Sequence, residues 1–153
     1  FMSVVIETAQ HNGEGQLIDR IHEFAAPAIA AAQAQHTTSV KSQAPRLGLV
    51  FNPGGYTHTS VALRDAIAAV ALPTIEVHLS NLYARDGFRH TSITGGACRA
   101  VIMGLGSESY RVALVALAKK VNSPEWAAAQ TATSLPVPIR ITSGAPPSLS
   151  ARM

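Results

Sequence analysis

The alternation of apolar runs and helical patterns along the chain predicts an α/β fold. Four short runs have the length and the apolar, β-branched composition of strands: VVIETAQ (4–10), LGLVF (47–51), TIEVHL (74–79) and RAVIMG (99–104). Three longer segments repeat apolar positions at helical spacing: EGQLIDRIHEF (14–24), VALRDAIAAVA (61–71) and YRVALVALAKKV (110–121). Strands covered on both faces read as continuous apolar runs, so this alternation indicates a parallel sheet with helices on both faces.

The polar residues beside these patterns indicate where helices begin and loops lie. Asn12 is a candidate N-cap for the first helix, and Thr57, Thr59 and Ser60 are candidates for the second. Residues 26–45 are rich in Ala, Gln, Ser and Thr, with a proline near each end. That segment predicts a helix tail that runs into a long loop.

The length of 153 residues suits one domain with a single core. We expect the domain to span residues 1–121, because residues 122–153 are mostly Ala, Ser, Thr and Pro and resemble a disordered tail. No run approaches the ~18 uncharged apolar residues that a membrane span needs. The sequence therefore predicts a single globular domain that does not associate with a membrane.

Charge and cysteine content narrow the class of partner and the compartment. The net charge is +3, but the twelve Lys and Arg are scattered and no aromatic residues lie between them for base stacking, so nucleic acid is not an expected partner. The lone cysteine, Cys98, cannot form an internal disulfide and has no metal-ligand spacing. We expect a cytoplasmic protein without a bound metal.

Candidate chemistry follows the predicted strands, where ligands bind in open parallel sheets. The first strand ends in Gln-His-Asn (10–12), the second in Asn-Pro-Gly-Gly (52–55) and the third in His-Leu-Ser-Asn (78–81). Gly54 and Gly55 allow close approach of the backbone, and the helix beyond them directs free N–H groups toward an anion. Amides, imidazole, hydroxyl and backbone N–H groups together fit a small, anionic, hydroxylated ligand.

Each of these features taken alone has an ordinary structural explanation. The NPGG segment is a good turn, His78 fits a hydrogen-bonded core histidine, and Arg85 and Arg89 fit a solvated helical face. The joint pattern of histidine, serine and amides at strand ends, followed by arginines, favours a site. The GLG of residues 104–106 lacks the third glycine of a dinucleotide fingerprint and a following Lys-Ser/Thr pair, which indicates a tight turn.

Four ordered segments resemble type II 3-dehydroquinate dehydratase over most of residues 4–121: QHNGEGQLIDRIHE (10–23), NPGGYTHTSVALRDAI (52–67), EVHLSNLYARDGFRHTS (76–92) and GLGSESY (104–110). The resemblance implies a flavodoxin-like fold with strand order 2-1-3-4-5 and trimers that assemble into a dodecamer. It implies dehydration of 3-dehydroquinate to 3-dehydroshikimate, by anti elimination through an enolate, without metal or organic cofactor. That reaction serves either aromatic amino-acid biosynthesis or quinate breakdown.

The resemblance also implies roles for individual residues. His78 corresponds to the general acid that protonates the departing hydroxyl, and Glu76 to the neighbour that influences its ionisation. Asp65 corresponds to a carboxylate that reaches a neighbouring subunit's site, and Arg85 to an arginine near the lid. The remaining positions correspond to substrate contacts: Asn52, Gly54, Gly55, His58, Leu79, Ser80 and Arg89.

The sequence departs from the family most clearly at its front. Members begin with a strand and an N-G-P-N-L-N-like turn, followed by a mobile lid that carries an arginine and the tyrosine that abstracts the C2 proton. None of these is present, and His11 and Gly13 also differ from the usual first motif. The missing strand belongs between residues 4–10 and 47–51, so we expect a sheet with its central first strand absent and two exposed edges.

Three hypotheses follow. The first is a type II dehydratase whose N-terminal βα unit, about 30 residues or more, lies upstream. The second is a truncated, catalytically impaired homologue that binds dehydroquinate-like ligands or assembles with a complete paralogue. The third is a flavodoxin-like nucleotide-binding module. None of Tyr56, Tyr83 and Tyr110 matches the catalytic base, so the chain alone is expected to be impaired as a catalyst.

Overall fold

The computed structural model describes residues 4–37, 46–121 and 137–143. Within these ranges lie five strands: β1 (Val4–Gln10), β2 (Gly48–Asn52), β3 (Thr74–His78), β4 (Ala100–Met103) and β5 (Val137–Ser143). They also hold three α-helices: α1 (Glu14–Thr37), α2 (Val61–Val70) and α3 (Glu108–Val121). The four strands and three helices predicted from the apolar patterns are therefore confirmed.

All strand pairs are parallel, and the order across the sheet is β1-β5-β2-β3-β4. The helices cover both faces, as expected for connections between parallel strands. Successive residues of β2 point to opposite faces of the sheet. Leu49 and Phe51 belong to the buried cluster on one face, and Val50 belongs to the cluster on the other. The first cluster contains side chains of α1 and α2, and the second contains side chains of α3.

The position of β5 corrects two expectations. The prediction of a disordered tail over residues 122–153 is wrong for Val137–Ser143, and residues 122–136 and 144–153 lie outside the described residues. β5 lies between β1 and β2, so the expected vacancy at the centre of the sheet is filled. Its Val-x-Ile-x-Ile pattern suits a strand, and both neighbours offer backbone groups that would otherwise lack partners.

The first helix is longer than its predicted apolar pattern. α1 continues to Thr37, so much of the segment 26–45 is helical, and residues 38–45 lie outside the described residues. Pro27 lies inside the helix, where it cannot donate the usual hydrogen bond to the carbonyl of Glu23. The alanines on both sides of Pro27 have high helix propensity, which allows the helix to continue past the proline.

The start of α2 and the spacing of β2 are explained by single residues. Ser60 is the N-cap of α2, and its hydroxyl accepts a hydrogen bond from the Leu63 amide at 2.8 Å. Gly48 brings β2 close to α3, because a Cβ atom there would lie 2.8 Å from Leu117. Among the described residues, no helix has the length and apolar content to cross a membrane.

Four short 3₁₀ helices follow the carboxyl ends of β2 and β3: Gly54–His58, Leu82–Ala84, Gly87–His90 and Thr94–Ala97. The Ile93 amide donates to the Thr57 carbonyl at 2.7 Å, which joins the loop after β2 to the loop after β3. Ser109 donates its hydroxyl to the His78 carbonyl at 3.0 Å, which ties α3 to the end of β3. These loops form one continuous rim at the carboxyl edge of the sheet.

Candidate active site

A pocket of about 270 Å³ lies at this rim, beside the ends of β2 and β3. Its walls come from the loops after both strands. The lining residues are Asn52, Gly54, Gly55, His58, His78, Leu79, Ser80, Leu82, Arg85 and Arg89. The structure therefore brings into one cavity nine of the residues singled out from the sequence, and adds Leu82.

Asn52 ends β2, and its amide is held on both sides. Its Oδ1 accepts from the Gly54 amide at 3.0 Å, and its Nδ2 donates to the Tyr110 hydroxyl at 2.7 Å. Gly54 has φ +58°, a conformation that favours glycine. The orientation of the amide is thus fixed, with the Nδ2 donor held by a tyrosine from α3.

His78 and Glu76 lie two residues apart on β3, so their side chains point to the same face of the sheet. The imidazole Nε2 lies 2.7 Å from Glu76 Oε1. Glu76 is completely buried and His78 is 5% exposed. A carboxylate only accepts hydrogen bonds, so Nε2 carries the proton of this contact and Nδ1 is the ring nitrogen left for a ligand.

Three hydroxyl groups complete the surroundings of Glu76. Thr57 and Ser92 lie 2.7 and 2.9 Å from Oε1, and Thr94 lies 2.5 Å from Oε2. Thr57 comes from the loop after β2, whereas Ser92 and Thr94 come from the loop after β3. We call Thr57, Ser92 and Thr94 the hydroxyl cage.

His78 and two members of the cage lower the pKa of the buried carboxyl. Burial by itself would raise the pKa of Glu76, but hydrogen bonds from His78, Thr94 and Thr57, with the charge of His78, outweigh it and hold the pKa below its ordinary value. Glu76 is therefore an anion at neutral pH. The anion accepts the Nε2 proton, which holds the imidazole in one orientation and leaves Nδ1 for a ligand.

The outer wall of the pocket carries its positive charge. The Arg89 guanidinium carbon lies 4.9 Å from the centre of the Phe88 ring, a cation–π contact. The Phe88 ring also makes a T-shaped contact with the His58 ring, with 6.4 Å between centroids. His58 Nδ1 lies 2.8 Å from the Thr91 carbonyl, so Nδ1 is the donor and Nε2 is available on the ring's other side. Arg85 adds a second cation to the same wall.

Two groups of predicted residues lie elsewhere. Asp65 is on α2, outside the pocket, where its side chain is 64% exposed and contacts Arg64 at 3.0 Å. The end of β1 (10–12) does not line the pocket either, so the expectation of three strand ends along one crevice is wrong. β5 separates β1 from β2, which places the β1 end about 10 Å away at ordinary strand spacing.

Sequence reasoning missed the hydroxyl cage and the partner of Asn52. Thr57, Ser92 and Thr94 are separated by up to 37 positions from one another, and hydroxyl residues are common in loops, so no local pattern distinguishes them. Tyr110 lies 58 positions from Asn52. The available signal was the arrangement of THTS (57–60) and TSIT (91–94) immediately after neighbouring strands.

The remaining candidate features carry no catalytic chemistry. Gly104 and Gly106 have φ +86° and +57°, so GLG is the tight strand-to-helix turn predicted from the sequence. Burial and the charge of Glu76 raise the pKa of the Cys98 thiol to about 12, which keeps it protonated. In the part of the chain that the structure describes, no three His, Cys, Asp or Glu side chains are grouped as metal ligands.

Comparison with known proteins identifies the family. The family model described as "Dehydroquinase class II" matches residues 2–118. The chain belongs to the class II dehydroquinase family. A 3-dehydroquinate dehydratase from Carboxydothermus hydrogenoformans is 47% identical over 108 residues, which cover 71% of this chain and 58% of that protein. One from Bacillus cereus is 41% identical over 121 residues, covering 79% and 70% of the two chains.

Solved structures agree with this assignment. The crystal structure of type II dehydroquinase from Propionibacterium acnes matches with a TM-score of 0.58 and 32% identity, over 72% of this chain and 64% of that one. The enzyme from Butyrivibrio crossotus matches with a TM-score of 0.53 and 38% identity, over 71% and 63%. The flavodoxin-like α/β fold expected for this chain is confirmed. The chain spans less than two thirds of the length of the Carboxydothermus relative and of both solved structures.

Proposed function

We propose that this dehydroquinase removes water from 3-dehydroquinate to give 3-dehydroshikimate, with His78 as the general acid. The contact between His78 Nε2 and the buried Glu76 anion, 2.7 Å long, carries the proposal. It leaves Nδ1 as the ring nitrogen available to a ligand, and His78 lines a pocket of polar and cationic groups. The relatives named 3-dehydroquinate dehydratase support the choice of substrate.

The chemistry is an anti elimination. A base takes the C2 proton, and the electron pair passes into the neighbouring carbonyl to give an enolate. The enolate then forms the new carbon–carbon double bond as the hydroxyl on the next carbon leaves. His78 gives its proton to that hydroxyl, which departs as water and leaves a neutral imidazole, and Glu76 stabilises the charged form that must be restored for the next cycle.

The pocket has groups suited to the rest of the substrate. Two arginines, Arg85 and Arg89, and the backbone amide of Gly55 suit its carboxylate. The backbone of Leu79 and Ser80 and the Ser80 hydroxyl extend that polar surface. His58 Nε2 suits a ring hydroxyl. A pocket lined by polar groups selects ligands by the positions of their hydroxyl groups, because an analogue that lacks one leaves a buried hydrogen-bond donor without a partner.

The base is the missing component of the pocket. None of the three tyrosines lines the pocket. The Tyr56 hydroxyl donates to the Asn12 carbonyl at 2.9 Å, the Tyr110 hydroxyl is held by Asn52, and Tyr83 is 65% exposed. We infer that residues 4–121 supply the acid and the substrate grip, and that the base comes from a segment outside them. Since general-base catalysis contributes about 10²–10⁴-fold, the chain alone would be a binder with impaired turnover.

The proposal further includes the assembly implied by the family: trimers that pack as a dodecamer, a cytoplasmic location, and no cofactor. The Asp65 carboxylate supports this arrangement, because 64% of its side chain is exposed and therefore accessible to a neighbouring subunit, beside its contact with Arg64. Light scattering coupled to size-exclusion chromatography would measure the mass, and a monomer at every concentration would rule the assembly out. The test of Asp65 is D65N, which should weaken binding only in assembled protein.

Two measurements on the same protein preparation test the function. Calorimetric titration with 3-dehydroquinate measures binding, and the absorbance of the conjugated enone product measures turnover. We expect saturable binding that competes with citrate, together with slow turnover. Robust turnover would show that the base is present after all, whereas the absence of both binding and turnover would refute the proposal. The exposed His22→Ala serves as a control that leaves both unchanged.

A further inference from the structure

One interior strand of this sheet, β5, comes from outside the part of the chain that matches the family. The match ends at residue 118, whereas β5 spans Val137–Ser143. All seven residues of β5 are in register with β1, from Val4↔Val137 to Gln10↔Ser143. Its other side is in register with the whole of β2, from Gly48↔Ile139 to Asn52↔Ser143.

β1 depends on β5 for its place in the sheet. Among the described residues, β5 is the strand that pairs with β1, and no pairing joins β1 to β2 directly. The adjoining helix α1 is held separately, because its Leu17 and Ile21 are buried in a cluster with Leu63 of α2. The backbone groups on the inner side of β1 therefore find their partners in β5.

The end of β2 depends on β5 as well, and this links the strand to the pocket. On the β3 side, the register of β2 ends at Phe51↔Glu76, one residue before Asn52. On the β5 side, it continues to Asn52↔Ser143. The strand pairing of Asn52 thus comes from β5 alone, and Asn52 lines the pocket.

We propose that the space between β1 and β2 is a strand-binding groove, that its occupant is the segment Val137–Ser143 of the same chain, and that this occupant positions Asn52 for ligand binding. The segment contains one residue, Pro138, that disfavours a paired strand, and the register of the groove accommodates it. Pro138 has no amide hydrogen, and it is in register with Val5 but lies before the start of the β2 ladder at Ile139. The proposal assigns residues 137–143 a role in the site that does not depend on which substrate the pocket takes.

A pair of cysteines tests where the segment lies. In a Cys98→Ser background, Q10C/S143C joins two residues in register at an exposed end of β1. The control V4C/S143C places the cysteines about 20 Å apart along the strand, because a strand rises about 3.3 Å per residue. Mild oxidation followed by peptide mass mapping should show an intramolecular disulfide for the first pair and none for the second.

Equal yields for the two pairs, or no disulfide for Q10C/S143C, would overturn the proposal. A disulfide between two chains would assign the groove to a second copy and overturn the assignment to the same chain.

Hydrogen exchange of the full chain tests what the strand does. I141P removes an amide from the middle of β5, opposite Thr8 and Val50, and S150P is the matched control beyond the strand. We expect the β1 amides (Val5–Ala9) to exchange at least ten-fold faster in I141P, with β3 (Ile75–Val77) unchanged, and we expect no change in S150P. Ligand affinity should fall in I141P and not in S150P. Unchanged protection of β1 would overturn the proposal, and if I141P does not fold, the cysteine pairs decide.

Discussion

The imidazole Nε2 of His78 lies 2.7 Å from Oε1 of Glu76, inside a shell of hydroxyl groups that belong to two different loops. This pair joins the chemistry of the pocket to its construction. The same carboxylate that orients the histidine also accepts hydrogen bonds from Thr57 in the loop after β2 and from Ser92 in the loop after β3. Changes to Glu76 should therefore alter both the stability of the protein and the behaviour of its acid.

Glu76→Gln should destabilise the protein at neutral pH and reduce its sensitivity to acid. The pKa of Glu76 lies below its ordinary value of 4.5, so the ionised carboxylate stabilises the fold above that pH, and this contribution is lost as pH falls through the folded-state pKa. Urea unfolding of both proteins between pH 7 and pH 3 measures the effect. The loss of stability below about pH 4.5 should be smaller in the variant. Identical pH dependence in the two proteins would show that Glu76 is not the anion described here.

Thr94→Val should be costly because Thr94 is fully buried and its hydroxyl lies 2.5 Å from Glu76 Oε2. The change leaves a buried carboxylate oxygen without its donor, a loss of about 1–3 kcal/mol in the free energy of unfolding. Thr94→Ser keeps the hydroxyl and should recover most of that loss. Thr91→Val is the matched control at an exposed position. Equal stabilities for the variants at 91 and 94 would contradict the cage.

Tyr110→Phe should weaken ligand binding with little effect on the core. The tyrosine hydroxyl accepts a hydrogen bond from Asn52 Nδ2 at 2.7 Å, and without it the amide loses its fixed orientation. The loss of one such bond corresponds to about 0.5–1.5 kcal/mol, or roughly a two- to twelve-fold weaker Kd. Calorimetry with 3-dehydroquinate measures it, with the exposed Tyr83→Phe as control. Equal affinities for the two variants would remove Tyr110 from the positioning of Asn52.

Arg89→Gln should reduce affinity for an anionic ligand and weaken its dependence on salt. Arg89 lines the pocket and stacks on Phe88, whereas Arg20 lies on α1 in an exposed ion pair with Glu23. A charge-assisted hydrogen bond contributes about 1.5–3 kcal/mol, so we expect at least a ten-fold rise in Kd. Arg20→Gln should leave Kd unchanged. If both variants bind alike across a salt series, the ligand does not contact Arg89.

The sequence was sufficient for those features that depend on local pattern. Each of the strands β1 to β4 was predicted from an apolar run in the sequence. Residues at strand ends, such as Asn52 and His78, lie close together because parallel strands end at one edge of the sheet. It failed where partners are distant and local pattern is weak. β5 is a seven-residue segment in a region poor in large apolar residues, and it is stabilised by backbone pairing with neighbours about 90 to 130 positions away. Its insertion also separates the β1 end from the pocket, which local pattern could not indicate.

The measurement that tests the central claim most directly is the effect of His78→Ala on binding and turnover, in a form of the protein that turns over 3-dehydroquinate. The account predicts that kcat falls by about 10²–10⁴-fold while Kd changes little, because the acid acts on the departing hydroxyl and the grip belongs to other residues. His22→Ala, an exposed histidine on α1, should match the parent in both quantities. An unchanged kcat in His78→Ala would contradict the assignment of His78 as the acid.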